Sequence, residues 1–97
     1  MNFKKEFPNL DQFFAGYFPD ADFDNLTDEE VVENYIADCN SSEVSKKTLD
    51  KVREELPLLI DNIESYWQIV GDEANRYFEN SHDALEWLMM IKKELNN

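Results

Sequence analysis

Three aspartates at alternating positions and a fourth shortly after them come closest to a recognisable chemistry in this chain of 97 residues. The run Asp20-x-Asp22-x-Asp24-Asn25-x-x-Asp28 matches positions one, three, five and nine of a calcium-binding loop. The sixth position is Asn25 where the sharp turn wants Gly, and the eighth is Thr27 in place of a branched apolar residue. The twelfth, which must supply a bidentate Glu, is Val31. Without that ligand the run reads as an acidic turn leading into a helix cap. The remaining chemistry-bearing residues are sparse. Cys39 and His82 are the single cysteine and the single histidine, too few for a structural metal site, and no local signature makes them a nucleophile and its base. Gly16 and Gly71 are isolated, so there is no phosphate-cradling loop, and no serine stands in a nucleophile elbow. No catalytic, cofactor-binding or metal-ligating residue is assigned, and the chain is read as a non-enzyme.

Charge is the more informative feature. Twenty-two acids against nine bases leave a formal net charge of −13. From Asp11 to Asp38 there are nine acids and no base, whereas residues 41–97 mix twelve acids with seven bases. A charge of this sign disfavours direct contact with nucleic acid or with anionic membrane surfaces, and speeds encounter with a basic protein. Asp20, Asp22, Asp24, Asp28, Glu29 and Glu33 are therefore the candidate partner-binding residues. The plainer interpretation of the same acids is a solvated face with a well-capped helix. Phe3, Phe7, Phe18 and Phe23 flank this region; most are expected in the core, with one or two left as exposed anchors.

The elements that must position these residues are helical. One domain spanning residues 1–97 is expected, all-α, with four to five short helices. The first runs from about Pro8 to Tyr17, with Leu10, Phe13, Phe14 and Tyr17 on one stripe, and Gly16 and Pro19 marking its end. An acidic loop from Pro19 to Leu26 follows, its Phe23 and Leu26 tucked onto the core. Thr27-Asp28-Glu29-Glu30 is a capping box that opens the second helix, whose inner stripe is Val32, Tyr35, Ile36 and Cys39. The third begins after Ser41 or Ser42 and carries Val44, Thr48, Val52, Leu56, Leu59, Ile63, Trp67 and Val70. Pro57 is expected to kink or split it, and Gly71 to stop it. Residues 72–79 have no clear period; Tyr77 and Phe78 are expected on the core, with Arg76 exposed or paired. The last helix opens at Asn80 or Ser81 and runs to about Leu95 on Ala84, Trp87, Leu88, Ile91 and Leu95. The expected core is Phe13, Phe14, Tyr17, Val32, Ile36, Val52, Leu56, Leu59, Trp87, Leu88 and Ile91.

Compartment follows from what is missing. One cysteine allows no intrachain disulfide and fits a reducing environment. The N-terminal residues, through Phe7-Pro8, lack the continuous apolar stretch of a secretory signal, and no run approaches the roughly 20 apolar residues of a membrane helix. A cytoplasmic protein is expected.

Four blocks carry a resemblance. Phe7-Pro8-Asn9-Leu10, Tyr17-Phe18-Pro19-Asp20-Ala21-Asp22-Phe23, Leu26-Thr27-Asp28-Glu29-Glu30-Val31-Val32 and Ala84-Leu85-Glu86-Trp87-Leu88 resemble, in order and spacing, a family of bacterial contact-dependent growth inhibition immunity proteins. The match is best in the N-terminal third, while Ser42 to Gly71 matches only as generic helix. The resemblance implies an all-helical, cytosolic non-enzyme. Such a protein binds and neutralises the toxic C-terminal domain of a large exported effector, usually a basic nuclease. It implies no toxin-contacting positions, so the six acids rest on the charge argument. A second reading, an acidic nucleic-acid mimic or adaptor that inhibits another basic protein, shares the charge argument but not the resemblance.

Overall fold

Six helices account for the fold in the computed structural model, which describes residues 2–96. They are α1 (Phe3–Glu6), α2 (Pro8–Asp24), α3 (Asp28–Cys39), α4 (Glu43–Asp61), α5 (Ile63–Ala74) and α6 (Ser81–Leu95), with no strand among the described residues. The all-α expectation holds, but there is one helix more than the four to five expected. The extra one is α1, a single turn whose Phe3 is buried against Phe7, Phe14 and Tyr66.

The starts of the helices are well encoded. Thr27 and Glu30 form the full capping box: the Thr27 hydroxyl accepts from the Glu30 amide at 3.1 Å, and the Glu30 carboxylate accepts from the Thr27 amide at 3.0 Å. Ser42 and Asn80 cap α4 and α6 through their side chains, accepting from Ser45 and Asp83. Pro8 occupies the first turn of α2, where its missing N–H costs nothing. Phe7, the residue before it, has no capping side chain. Glu55 of α4 substitutes, accepting from the Asn9 and Leu10 amides at 3.2 and 3.1 Å and from the Asn9 side chain at 2.6 Å. Two residues earlier on α4, Arg53 donates to the Leu95 carbonyl at 3.0 and 2.8 Å, capping the C-terminus of α6. One helix thus closes an end of two others.

Helices α3 and α6 end where expected, but the ends of α2, α4 and α5 depart from expectation. Neither Gly16 nor Pro19 stops α2, which continues to Asp24 and closes on Asn25 in the left-handed region (φ 61°). Pro19 deprives the Ala15 carbonyl of its helical partner, and Ala15 is an exposed residue of the helix. The split in the long third stripe falls at Asn62, five residues beyond Pro57, which lies inside an uninterrupted α4. Continuing the helix past Pro57 buries Leu59, and the Asn62 side chain then donates to the Leu58 carbonyl at 2.8 Å where the chain turns. Helix α5 passes Gly71 and ends on Asn75 (φ 54°). There the Arg76 amide bonds the Gly71 carbonyl at 2.8 Å and the Asn75 amide bonds Asp72 at 3.4 Å, the paired bonds of a Schellman turn. Gly71 is needed for close approach: a Cβ there would lie 2.8 Å from the Arg76 carbonyl and 3.3 Å from the Phe78 ring.

The buried residues form one cluster. Helices α2 and α6 each pack against α3, α4 and α5, and aromatic rings fill the space between them. Phe13 of α2 stacks on Tyr35 of α3 with centroids 4.0 Å apart. Trp87 of α6 reaches Phe14, Phe18 and Phe78 at 5.3, 4.9 and 5.6 Å. Of the expected core, Tyr17, Ile36 and Trp87 are partly buried and the other eight fully so. Three apolar residues expected inside are outside: Phe23, Val44 and Tyr77 are 91%, 77% and 85% exposed. Among the described residues no helix is long and apolar enough to cross a membrane.

Candidate protein-binding face

Because α2 continues through Asp24, the acidic run expected as a loop is helical, and helical geometry sorts its carboxylates. Residues two apart point roughly 200° from one another, so Asp20 and Asp24 share a face while Asp22 turns away. Asp20 and Asp24, with Asp38 of α3, rim an open groove of about 350 Å³ between α2 and α3. Tyr17 stands in its wall and donates its hydroxyl to Asp38 at 2.7 Å. Burial first, and then that carboxylate, raise the Tyr17 pKa to about 12, so the phenol stays a donor at any physiological pH. Gly16 lines the groove, and a Cβ there would meet nothing within 4 Å.

Asp22, still exposed, and the half-buried Asp28 instead meet a cation that sequence reasoning left as either exposed or paired. Arg76 lies just after α5. Its Nη2 is 2.7 Å from Asp28 and its Nε 3.2 Å from both Asp28 oxygens, while Nη1 reaches Asp22 at 3.2 Å. The Trp87 indole N–H donates to Asp28 at 2.7 Å, and the Asn75 side chain donates to Asp22 at 2.9 Å. The guanidinium also lies 5.3 Å from the Phe18 ring centroid. Burial alone would raise the Asp28 pKa, but the Arg76 and Trp87 hydrogen bonds outweigh it and hold the carboxyl below its ordinary value. Arg76 is raised in turn, chiefly by its hydrogen bond to Asp28. Asp28 is therefore a joint between α3, α6 and the turn after α5 more than a free surface charge.

Glu29 and Glu33 are exposed one helical turn apart on α3, a like-charge i,i+4 pair that weakens an isolated helix slightly. Of the six candidates, Asp20, Asp24, Glu29 and Glu33 remain exposed and without a cationic partner among the described residues, while Asp22 and Asp28 share Arg76. Lys4 and Lys46 pair with Glu73 and Glu43, and Arg53 with Asp50, all away from the run from Asp20 to Glu33.

Nothing in this face, or elsewhere among the described residues, groups three or more His, Cys, Asp or Glu so as to hold a metal ion. Cys39 is buried, its thiol pushed up by burial first, and lies on α3 while His82 is exposed on α6 and 3.1 Å from Glu86. The exposed aromatics Phe23 and Tyr77 adjoin the Asp22–Arg76 bridge in sequence. The amphipathic stripe could have signalled Phe23 had the helix been continued: five residues past buried Phe18, it points about 140° away from it. Tyr77 carried no such signal.

Compared with protein-family models, with curated proteins and with solved structures, the chain matches none.

Proposed function

We propose that this protein is an immunity protein that binds and neutralises the toxic C-terminal domain of an effector of a contact-dependent growth inhibition system. The carrying observation is the set of exposed acids on α2 and α3: Asp20, Asp24, Glu29 and Glu33 have no cationic partner among the described residues, while Arg76 is committed to Asp22 and Asp28. Uncompensated charge of this kind is costly within one molecule and favourable opposite a basic one. A toxin that cuts nucleic acid must present a basic cleft to phosphates, which makes it a partner of the right sign. The resemblance of the four sequence blocks supports the same reading, and with it a cytoplasmic site of action and a stoichiometric rather than catalytic role.

The test is protection. The reading expects a toxin domain to be encoded next to this chain's gene; that neighbouring product is expressed from a regulated promoter in a bacterial host, with and without this chain. Growth rescue, with a one-to-one complex recovered from the rescued cells, is the expected outcome. Undiminished killing despite comparable expression of both chains rejects the reading. Rescue by binding to a host nucleic-acid-binding protein instead would favour the mimic or adaptor reading, which shares the acidic face.

A further inference from the structure

We propose that the groove between α2 and α3 takes an arginine side chain of a partner protein, with its apolar stem on the groove floor and its guanidinium among Asp20, Asp24 and Asp38. This deepens the immunity reading, and the identity of the partner rests on that reading. Helical spacing builds the groove. Gly16, Asp20 and Asp24 lie four residues apart on α2, as do Tyr17 and Ala21. Val31, Asn34 and Asp38 follow at i, i+3 and i+7 on α3. All of these line one open space of about 350 Å³, which Leu26 and Ala37 complete.

Small residues make the room. Gly16, Ala21 and Ala37 offer no long side chain to fill it, and a Cβ on Gly16 would still meet nothing within 4 Å. The floor is apolar: Ala21 and Val31 are 3% and 1% exposed, and Leu26 packs against the core. Asp20, Asp24 and Asp38 are exposed, so the groove is apolar beneath and anionic at its rim. Pockets for small organic groups measure roughly 300–1,000 Å³, and a space at the low end of that range suits one side chain better than a helix.

Charge selects the occupant. No base of this chain lines the groove, and none of its three aspartates has a cationic partner among the described residues. A metal ion is a poor match, because no three His, Cys, Asp or Glu among the described residues are grouped to hold one. Carboxylates spread over two helices fit a cation that is itself spread out. A guanidinium presents five donors in a planar fork, on a stem that lies along apolar surface. The lysine ammonium is a compact charge that holds its water more strongly. Tyr17 steadies one wall by donating to Asp38 at 2.7 Å, which leaves that carboxylate further acceptor positions. A second copy of this chain would bring another −13 towards the same acids, whereas a protein that binds phosphates presents arginines.

NMR titration of the full isotope-labelled chain with N-acetyl-arginine amide, at constant ionic strength, tests the groove without the partner. N-acetyl-citrulline amide, of similar shape but uncharged, is the control. The arginine compound is expected to give saturable shifts at the Gly16, Ala21, Asn34 and Ala37 amides, and the citrulline compound none. Gly16→Leu fills the groove from an open helical position, and the pair Asp20→Asn with Asp24→Asn removes its rim charge; each is expected to weaken binding about tenfold. The pair Glu29→Gln with Glu33→Gln removes equal charge from α3 outside the groove and should leave affinity within about twofold. Circular dichroism checks that the variants fold. No saturable shift in the groove, equal shifts from the two compounds, or equal weakening by the two double variants would each overturn the proposal, while the immunity reading is decided separately by the protection assay. A toxin domain identified by that assay and bound equally well by the parent and Gly16→Leu would overturn the groove and leave the immunity reading intact.

Discussion

Asp28 shows how one residue can carry a local role and a global one. It is the first residue of α3, where a carboxylate suits the helix dipole, and it also receives Arg76 and Trp87 from two other elements. Replacing it with Ala leaves a half-buried guanidinium and an indole N–H without their acceptor. We expect Asp28→Ala to cost about 2–4 kcal/mol in chemical denaturation. A loss below 1 kcal/mol would mean that water replaces the carboxylate. Glu73 behaves in the opposite way. Burial first, and then the neighbouring Asp11, raise its pKa, and an Asp11 oxygen is left buried with no hydrogen-bond partner. The folded state therefore favours the protonated Glu73 carboxyl. Its contribution is fully present below the ordinary value of 4.5 and is lost as pH rises through the raised folded value. Asp28, with a lowered folded value, contributes above its ordinary 3.8 and loses that contribution as pH falls through the folded value. Glu73→Gln is expected to flatten the decline in stability as pH rises from about 4.5 towards neutrality. Urea unfolding at a series of pH values reads this directly, and an unaltered slope would contradict the raised Glu73 value.

Among the elements, the starts of α2, α3, α4 and α6 and the ends of α3 and α6 were legible in the sequence, whereas the ends of α2, α4 and α5 were not. Thr27 with Glu30, Ser42, Asn80 and Pro8 are all local signals, each acting within a few residues of itself. Pro19, Pro57 and Gly71 are also local signals, but neighbours from other elements override them. Helix α2 continues past Pro19 into contacts with Asn75 and Arg76, and α4 continues past Pro57 to bury Leu59. The caps across elements were equally invisible, because Glu55 lies 46 positions from Asn9. Glu55→Ala should cost about 1–2 kcal/mol through the lost cap of α2, measured by thermal or urea unfolding. Gly16 offers a contrasting case: its place in α2 is helical and open. Gly16→Ala is expected to stabilise the helix by about 0.5–1 kcal/mol. The candidate site was legible by the same logic: residue types were right, but only the true length of α2 separates Asp20 and Asp24 from Asp22. Phe23 was misplaced for that same reason.

The whole molecule is a small aromatic core bearing a lopsided charge. Its basic residues sit mostly beyond residue 41, while the acids of α2 and α3, apart from Asp22 and Asp28, have no ion-pair partner among the described residues. An account in which that face recruits a basic toxin domain makes a kinetic demand, because long-range steering acts on the association rate and is screened by salt. Charge reversal belongs at Asp24, Glu29 and Glu33; Asp22 is unsuitable because its carboxylate is part of the Arg76 joint. The decisive measurement is stopped-flow association of the full chain with the toxin domain identified by the protection assay across a range of ionic strength, for the parent and for the variant with Asp24, Glu29 and Glu33 changed to Lys. The account predicts fast association that slows steeply with added salt, and a variant at least tenfold slower at low salt with a flattened dependence. Equal rates and equal salt dependence for the two proteins would contradict it.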